Sequence, residues 1–133
     1  MNTPVLVPIV EGYSDGWTIF GRYGYPMIQV LFENDDVLAV NKPEELSAIP
    51  EGKEGRDCLL SLLSSAFPGR LYVVHRLDKE VSGVILLAKN VAAHKCLNDQ
   101  FANGSISKTY VALTHGVIEE TSGTIDKPLR QFG

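Results

Sequence analysis

Residues 71–89, LYVVHRLDKEVSGVILLAK, place a short charged segment between two apolar runs rich in β-branched residues. LYVV and SGVILLAK have the length and composition of buried strands. The segment between them holds a histidine, two basic residues, an aspartate and a glutamate. This pattern predicts a sheet with a polar loop between two of its strands, and such loops often present catalytic side chains.

Further strand patterns lie on both sides of this stretch. IQVLFE and VLAVN are separated by NDD, a turn sequence, and therefore predict a hairpin that ends at Lys42-Pro43, because proline cannot donate to a strand ladder. SKTYVALTHG, residues 107–116, alternates between two faces and predicts a later strand.

Two segments have the spacing of helices. DCLLSLLSSAF predicts a helix with Asp57 as N-cap, closed by Pro68-Gly69. NVAAHKCLNDQFANG predicts a second helix that is capped by Asn90 and ended by Gly104.

The element order predicts an α+β fold with a mixed, largely antiparallel sheet and flanking helices. We expect residues 1–27 to form an extended lead-in rich in Gly and Tyr, with a short strand at 17–20, and residues 28–133 to form the domain. No strand or helix pattern closes the last segment, TSGTIDKPLRQFG, so we expect a domain cut short of a complete fold.

Length and composition exclude several classes of protein. The 133 residues suit one domain, and no apolar run approaches the roughly 18 residues that a membrane span needs. The N-terminus lacks the pattern of a signal peptide, so we expect a cytoplasmic protein. Cys58 and Cys96 are expected to be reduced thiols. The three histidines are scattered, so we expect no metal site.

The net charge of −4 conceals an uneven distribution along the chain. Residues 33–57 hold eight acidic and three basic side chains, a net −5, whereas residues 68–110 hold six basic and three acidic ones, a net +3. A basic face on an acidic protein is therefore possible, and RNA binding is not excluded.

The local sequence pattern alone does not decide the role of the segment HRLDKEVSG. The loop either presents Arg76 and Asp78 for chemistry or is an ordinary solvated turn. An acid–base pair of His75 and Asp78 is a weaker reading, because residues three apart along an extended segment point to opposite faces.

Three motifs together resemble the RluA-type RNA pseudouridine synthases. VVHRLDKEVSGVILLAK is similar to the signature of that family, FENDDVLAVNKPEELSAIP to its opening hairpin and Asn-Lys-Pro turn, and SKTYVALTHG to its Lys-x-Tyr strand. The resemblance covers about residues 30–130. It implies an isomerase that converts uridine to pseudouridine in ribosomal or transfer RNA without a cofactor.

The resemblance also assigns roles to residues. It makes Asp78 the catalytic carboxylate, Arg76 the side chain that fills the gap left by a flipped base, and Tyr110 the ring that packs on the flipped uracil. Lys108, like Lys79 and Lys89, is expected to contact phosphate. A packed core tyrosine and solvated lysines are the structural alternatives.

The chain departs from the family pattern at a few positions. Val81 replaces the usual threonine, and Glu45 stands where glycine is usual. A later Gly-Arg-x-His-Gln-type segment, whose basic residue pairs with the catalytic aspartate, has no counterpart. We therefore expect impaired chemistry in a fragment of this length, with a non-catalytic RNA-binding module as the alternative. The Asn41-Lys42-Pro43 turn either shapes one wall of the cleft or is only a turn fixed by proline.

Overall fold

An antiparallel β-sheet forms the centre of the fold. The structure is a computed structural model that describes residues 28–52 and 58–128 and, as backbone only, Leu6–Pro8 and Trp17–Ile19. The strands are β1 Leu6–Pro8, β2 Trp17–Ile19, β3 Ile28–Glu33, β4 Val37–Lys42, β5 Tyr72–Val73 and β6 Gly83–Ala88. Their order is β1-β2-β3-β4-β6-β5, and every pairing between them is antiparallel.

The β3–β4 hairpin forms where the sequence predicts it. The Asn34 side chain accepts hydrogen bonds from the amides of Asp36, at 2.9 Å, and Val37, at 2.7 Å, which closes the turn. The register shifts between Val30 and Phe32, so the strand bulges there. β4 ends at Lys42, immediately before proline, as expected.

Side-chain alternation gives the sheet a core face. Leu38 and Val40 of β4 lie opposite Leu87 and Ile85 of β6, and all four are buried. Lys42 continues the same alternation and therefore points to the same side. The core is completed by residues of β3, α1 and the connecting segments: Ile28, Val30, Leu46, Ala48, Leu59, Leu63, Phe67 and Leu71.

Helix α1, Leu59–Ala66, lies against this core, but its cap differs from the prediction. Cys58 is the N-cap, not Asp57, which itself lies outside the described residues. The amides of Leu59 and Leu60 donate to the carbonyls of Ser47, at 2.8 Å, and Ala48, at 3.1 Å. Because a neighbouring segment accepts from these first amides, the helix does not need a carboxylate cap.

Helix α2, Val91–Ala102, begins at the predicted cap. The Asn90 side chain accepts from the Ala93 amide at 2.8 Å. Gly104 follows the helix with a φ of 73°, a left-handed conformation that favours glycine. α2 packs on the sheet through two stacked ring pairs, Tyr72 with His94 and His75 with Phe101.

The strand predicted for residues 107–116 is wrong for this structure. Residues 105–128 contain no strand, and the side chains of Val111 and Leu113 are fully exposed. Alternation defines two faces, but a strand also needs a backbone partner for its amides and carbonyls, and residues 107–116 find none within the described part of the chain. No helix among the described residues is both long and apolar enough to cross a membrane.

Candidate active site

The loop that carries Asp78 begins where the β5–β6 ladder stops. The last paired residues are Val73 and Leu87. One residue further along β6, the amide of Leu86 donates to the His75 side chain, Nε2, at 2.9 Å, and not to a carbonyl of β5. The imidazole thus takes the position of a strand partner, and the main chain is free to turn away from the sheet.

Side chains along the loop alternate between the protein and solvent. His75 is half-buried and Leu77 is 6% exposed, whereas Arg76 and Asp78 point outwards. The Asp78 carbonyl accepts from the Val81 amide at 3.1 Å and so closes a turn. His75 and Asp78 therefore lie on opposite sides of the loop, as the sequence predicts, and they do not form an acid–base pair.

Asp78 and Arg76 form an exposed ion pair. Arg76 Nη2 lies 3.9 Å from Asp78 Oδ1 and 3.8 Å from Glu51 Oε1. The Asp78 side chain is 77% exposed and the Arg76 side chain 54%. Such pairs contribute about 0–1 kcal/mol to stability, so Arg76 can leave both carboxylates at low cost.

The buried Lys42 side chain is hydrogen-bonded to the backbone of this loop. It is 0% exposed, and its ammonium donates to the backbone carbonyls of Pro43, at 2.9 Å, Leu46, at 2.7 Å, and Lys79, at 3.1 Å. Burial lowers the pKa of Lys42, and the negative charges of Glu80, Asp78 and Glu45 oppose that shift. The turn at Lys42-Pro43 is therefore bound to the loop that carries Asp78.

A groove of about 720 Å³ lies beside the loop. Tyr110 and Lys108 line it, as do Leu77 and Glu80, which lie on either side of Asp78 in the chain. Its other lining residues are His75, Val81, Ser82, Gly83, Val84, Leu86, Phe101, Ile106, Ser107, Thr109 and Val111. The structure thus places Tyr110 and Lys108 in one groove, and Asp78 and Arg76 on the adjoining loop outside its lining.

His75 is the titratable group most enclosed by this groove. Its ring stacks on Phe101 with centroids 4.7 Å apart, and the Lys108 ammonium lies 6.0 Å from the centre of the same phenyl ring. Burial lowers the pKa of His75, and the charge of Lys108 lowers it further. Both effects favour the neutral imidazole that accepts from Leu86.

The sequence indicates a structural His75 and a turn at Lys42, but it does not predict the hydrogen bonds that these two side chains make. Lys42 follows Leu38 and Val40 at a spacing of two, so its place on the core face was readable from the alternation. The acceptors of Lys42 and the donor to His75 are backbone groups, which leave no trace in side-chain pattern. Among the described residues no group of His, Cys, Asp and Glu has the arrangement of a metal site.

Comparison with known proteins identifies the family. The sequence model of the RNA pseudouridylate synthase family matches residues 36–131. The chain therefore belongs to the RNA pseudouridylate synthase family, and the resemblance to its RluA-type members is confirmed. The match includes the hairpin from Asp36 onward, the Asp78 loop and the segment that carries Tyr110.

Individual relatives agree with this assignment. The dual-specificity RNA pseudouridine synthase RluA of Vibrio vulnificus is 42% identical over 106 residues, which are 78% of this chain and 42% of that protein. The uncharacterized RNA pseudouridine synthase YlyB of Bacillus subtilis is 36% identical over 110 residues, which are 77% of this chain and 36% of that protein. The chain thus spans less than half the length of these relatives.

Among solved structures, human RNA pseudouridylate synthase domain containing 4 is similar at 24% identity. The match covers 57% of this chain and 30% of the human one, with a TM-score of 0.46. A likeness of this size supports no further conclusion about the site.

Proposed function

We propose that this chain carries the catalytic aspartate of an RNA pseudouridine synthase and that Asp78 is that carboxylate. The observation that carries the proposal is the family match across the whole Asp78 loop, at 42% identity to one relative. The local structure supports it, because the loop holds Asp78 outwards while Leu77 and Lys42 fix the backbone on each side.

The reaction exchanges one bond of a nucleotide for another. The N1–C1′ bond of uridine breaks, the uracil turns while bound, and C5 joins the same ribose carbon. No redox change or net hydrolysis takes place, so the chemistry needs no cofactor. An ionised Asp78 acts either by attack on C1′ or by removal of a proton from C2′, and both roles require an accessible carboxylate.

Arg76 is suited to a target base that leaves its stack. Flipping a nucleotide costs a few kcal/mol, and a planar guanidinium that enters the vacated space offsets part of that cost. The exposed ion pairs of Arg76 leave it free to make this movement. We assign Tyr110, which is 60% exposed at the groove, to contact with an everted uracil ring, and Lys108, which lines the same groove, to contact with phosphate.

Other lysines differ in their availability to RNA. Lys89 donates to the Glu33 carboxylate at 2.6 Å and to the Asn34 carbonyl at 2.7 Å, so its charge is already paired. The side chain of Lys79 is exposed and forms no ion pair within the described part of the chain. We therefore favour Lys79 over Lys89 as a phosphate contact. The proposed substrate is ribosomal or transfer RNA, modified in the cytoplasm.

The test compares cells that carry or lack the gene for this protein. Pseudouridines are mapped across ribosomal and transfer RNA, and the deletion strain is then complemented with the natural-length protein, with Asp78→Asn or with Asp99→Asn. Asp99 is an exposed carboxylate on α2 and is the matched control.

We expect one or a few sites to disappear on deletion, to return with the wild type and with Asp99→Asn, and to stay absent with Asp78→Asn. Restoration by Asp78→Asn would refute the role of Asp78. A wild-type protein that binds RNA but modifies no site would favour the non-catalytic RNA-binding module.

A further inference from the structure

The His75 side chain accepts a hydrogen bond from β6 at the point where the pairing of β5 with β6 ends. β5 contributes two residues to the pairing with β6, and the next β6 amide on that side, that of Leu86, donates to His75 Nε2 at 2.9 Å. The next residues after this ring are Arg76, Leu77 and Asp78. Among the described residues, this is the last hydrogen bond that joins the chain to β6 before the proposed catalytic carboxylate.

This bond requires one particular protonation state. An imidazole nitrogen accepts only with a free lone pair, so Nε2 carries no proton and Nδ1 holds the hydrogen of the neutral ring. Addition of a proton to Nε2 converts the acceptor into a donor that faces the Leu86 N–H. The cation therefore cannot keep the contact that the neutral ring makes.

The surroundings of the ring favour the neutral state. From α2 it meets the face of Phe101, and β6 has no titratable side chain between Gly83 and Ala88. Segment 106–111 brings Lys108 and Tyr110 to the same groove, and the loop itself brings Glu80. Arg76 and Asp78, the nearest charges along the chain, point to the opposite side.

We propose that neutral His75 is a positioning residue: by accepting from Leu86 it fixes the start of the Asp78 loop on β6, and a proton on Nε2 releases that loop. The catalytic consequence rests on the proposed function, but the attachment itself does not. At pH values below the midpoint of the His75 titration, the segment that carries Arg76 and Asp78 is no longer hydrogen-bonded to β6 through His75.

The attachment is tested on the natural-length protein by NMR with uniform nitrogen-15 labelling. An N–H···N hydrogen bond transmits a measurable coupling between the two nitrogens. We expect this coupling between Leu86 N and His75 Nε2 at neutral pH. We also expect its loss on acidification at the midpoint of the imidazole titration, together with shifts of the amides of residues 77–81.

Three variants make the test specific. His75→Gln keeps an oxygen acceptor that does not titrate, so the acid-induced shifts of residues 77–81 should disappear. His75→Phe keeps a ring to stack on Phe101 but cannot accept, so those amides should resemble the acid state at every pH. His94→Gln, at a histidine that stacks on Tyr72 and is not bonded to β6, should leave the wild-type behaviour unchanged.

Absence of the coupling, or amides of residues 77–81 that do not respond as the imidazole titrates, would overturn the attachment. The acid response of the wild type and the His75→Gln variant both decide the question even if His75→Phe does not fold.

Activity of the natural-length protein tests the catalytic consequence. We expect kcat of the wild type to fall with a single-proton slope at the midpoint of the imidazole titration found by NMR, and this limb to be absent from His75→Gln. His75→Phe should have a low kcat at every pH with little change in KM for RNA. A limb at that same midpoint in His75→Gln would refute the positioning role, whereas a separate limb from protonation of the required Asp78 carboxylate is expected in both proteins. A wild type without isomerisation would instead refute the proposed function, with the NMR result unaffected.

Discussion

The ammonium of Lys42 donates to the backbone carbonyl of Lys79 over 3.1 Å and so joins residues 37 positions apart. Lys42 is the last residue of β4, and Lys79 follows Asp78 directly. A buried cation thus holds the loop at its second half, while His75 attaches its first half to β6. The exposed Asp78 carboxylate lies between two fixed points.

Lys42→Met should destabilise the protein by about 1–3 kcal/mol. Methionine fills similar space and removes the cost of a buried charge, but three carbonyls lose their donor. The loss of charge-assisted hydrogen bonds, each about 1.5–3 kcal/mol, outweighs the gain. Urea unfolding measures the change, and Lys95→Met, at an exposed lysine of α2, should stay within about 0.5 kcal/mol of the wild type. Equal stabilities for the two variants would contradict this account.

Arg76→Lys and Arg76→Ala should distinguish the contribution of guanidinium stacking from that of the positive charge. Lysine keeps the positive charge, so the salt dependence of RNA binding should stay close to that of the wild type, whereas alanine should reduce the salt slope by about one. Both should lower turnover by the natural-length protein, because neither side chain stacks as a guanidinium does. Filter binding at several salt concentrations and a pseudouridine assay give the two readouts. Arg70→Lys is the matched control. Full turnover by Arg76→Lys would exclude stacking as the role of the Arg76 side chain.

Asn90→Ala should destabilise the protein by about 1 kcal/mol through loss of a helix cap. The same side chain donates to the Asp36 carboxylate at 2.7 Å, so the substitution also separates α2 from the β3–β4 turn. Thermal unfolding followed by circular dichroism measures the effect. Asn98→Ala, within the same helix on its exposed surface, should be neutral or slightly stabilising because alanine favours helices. An equal loss from both variants would argue against capping.

Stability should fall in acid because of His75. Its pKa in the folded protein is lower than the ordinary 6.5, so the unfolded chain binds more protons between the two values. The stabilising contribution is fully present above about 6.5 and is lost as the pH falls through the lowered pKa. Urea unfolding at a series of pH values measures this dependence. His75→Gln should flatten the pH dependence of the free energy of unfolding between these two pKa values. His94→Gln should not change that dependence. An unchanged dependence in His75→Gln would show that other groups cause it.

Sequence rules that act within a few residues predicted most of the helices and strands. The Asn34 turn, the Asn90 cap and the proline after Lys42 each act within a few residues, and each is found where the pattern predicts it. The family motifs placed Asp78, Arg76, Tyr110 and Lys108 as site residues, and their roles remain predictions. The Asp57 cap was wrong because the carbonyls of Ser47 and Ala48, distant in sequence, accept from the first amides of α1.

The amino-acid sequence by itself determined the strands of the central hairpin, both helices and the family, because alternation, capping and motif spacing are properties of neighbouring side chains. Only the tertiary structure decided that Lys42 and His75 hold the Asp78 loop, and that residues 107–116 do not pair as a strand. Those outcomes depend on backbone amides and carbonyls, which are the same in almost every residue and acquire partners only when distant segments meet.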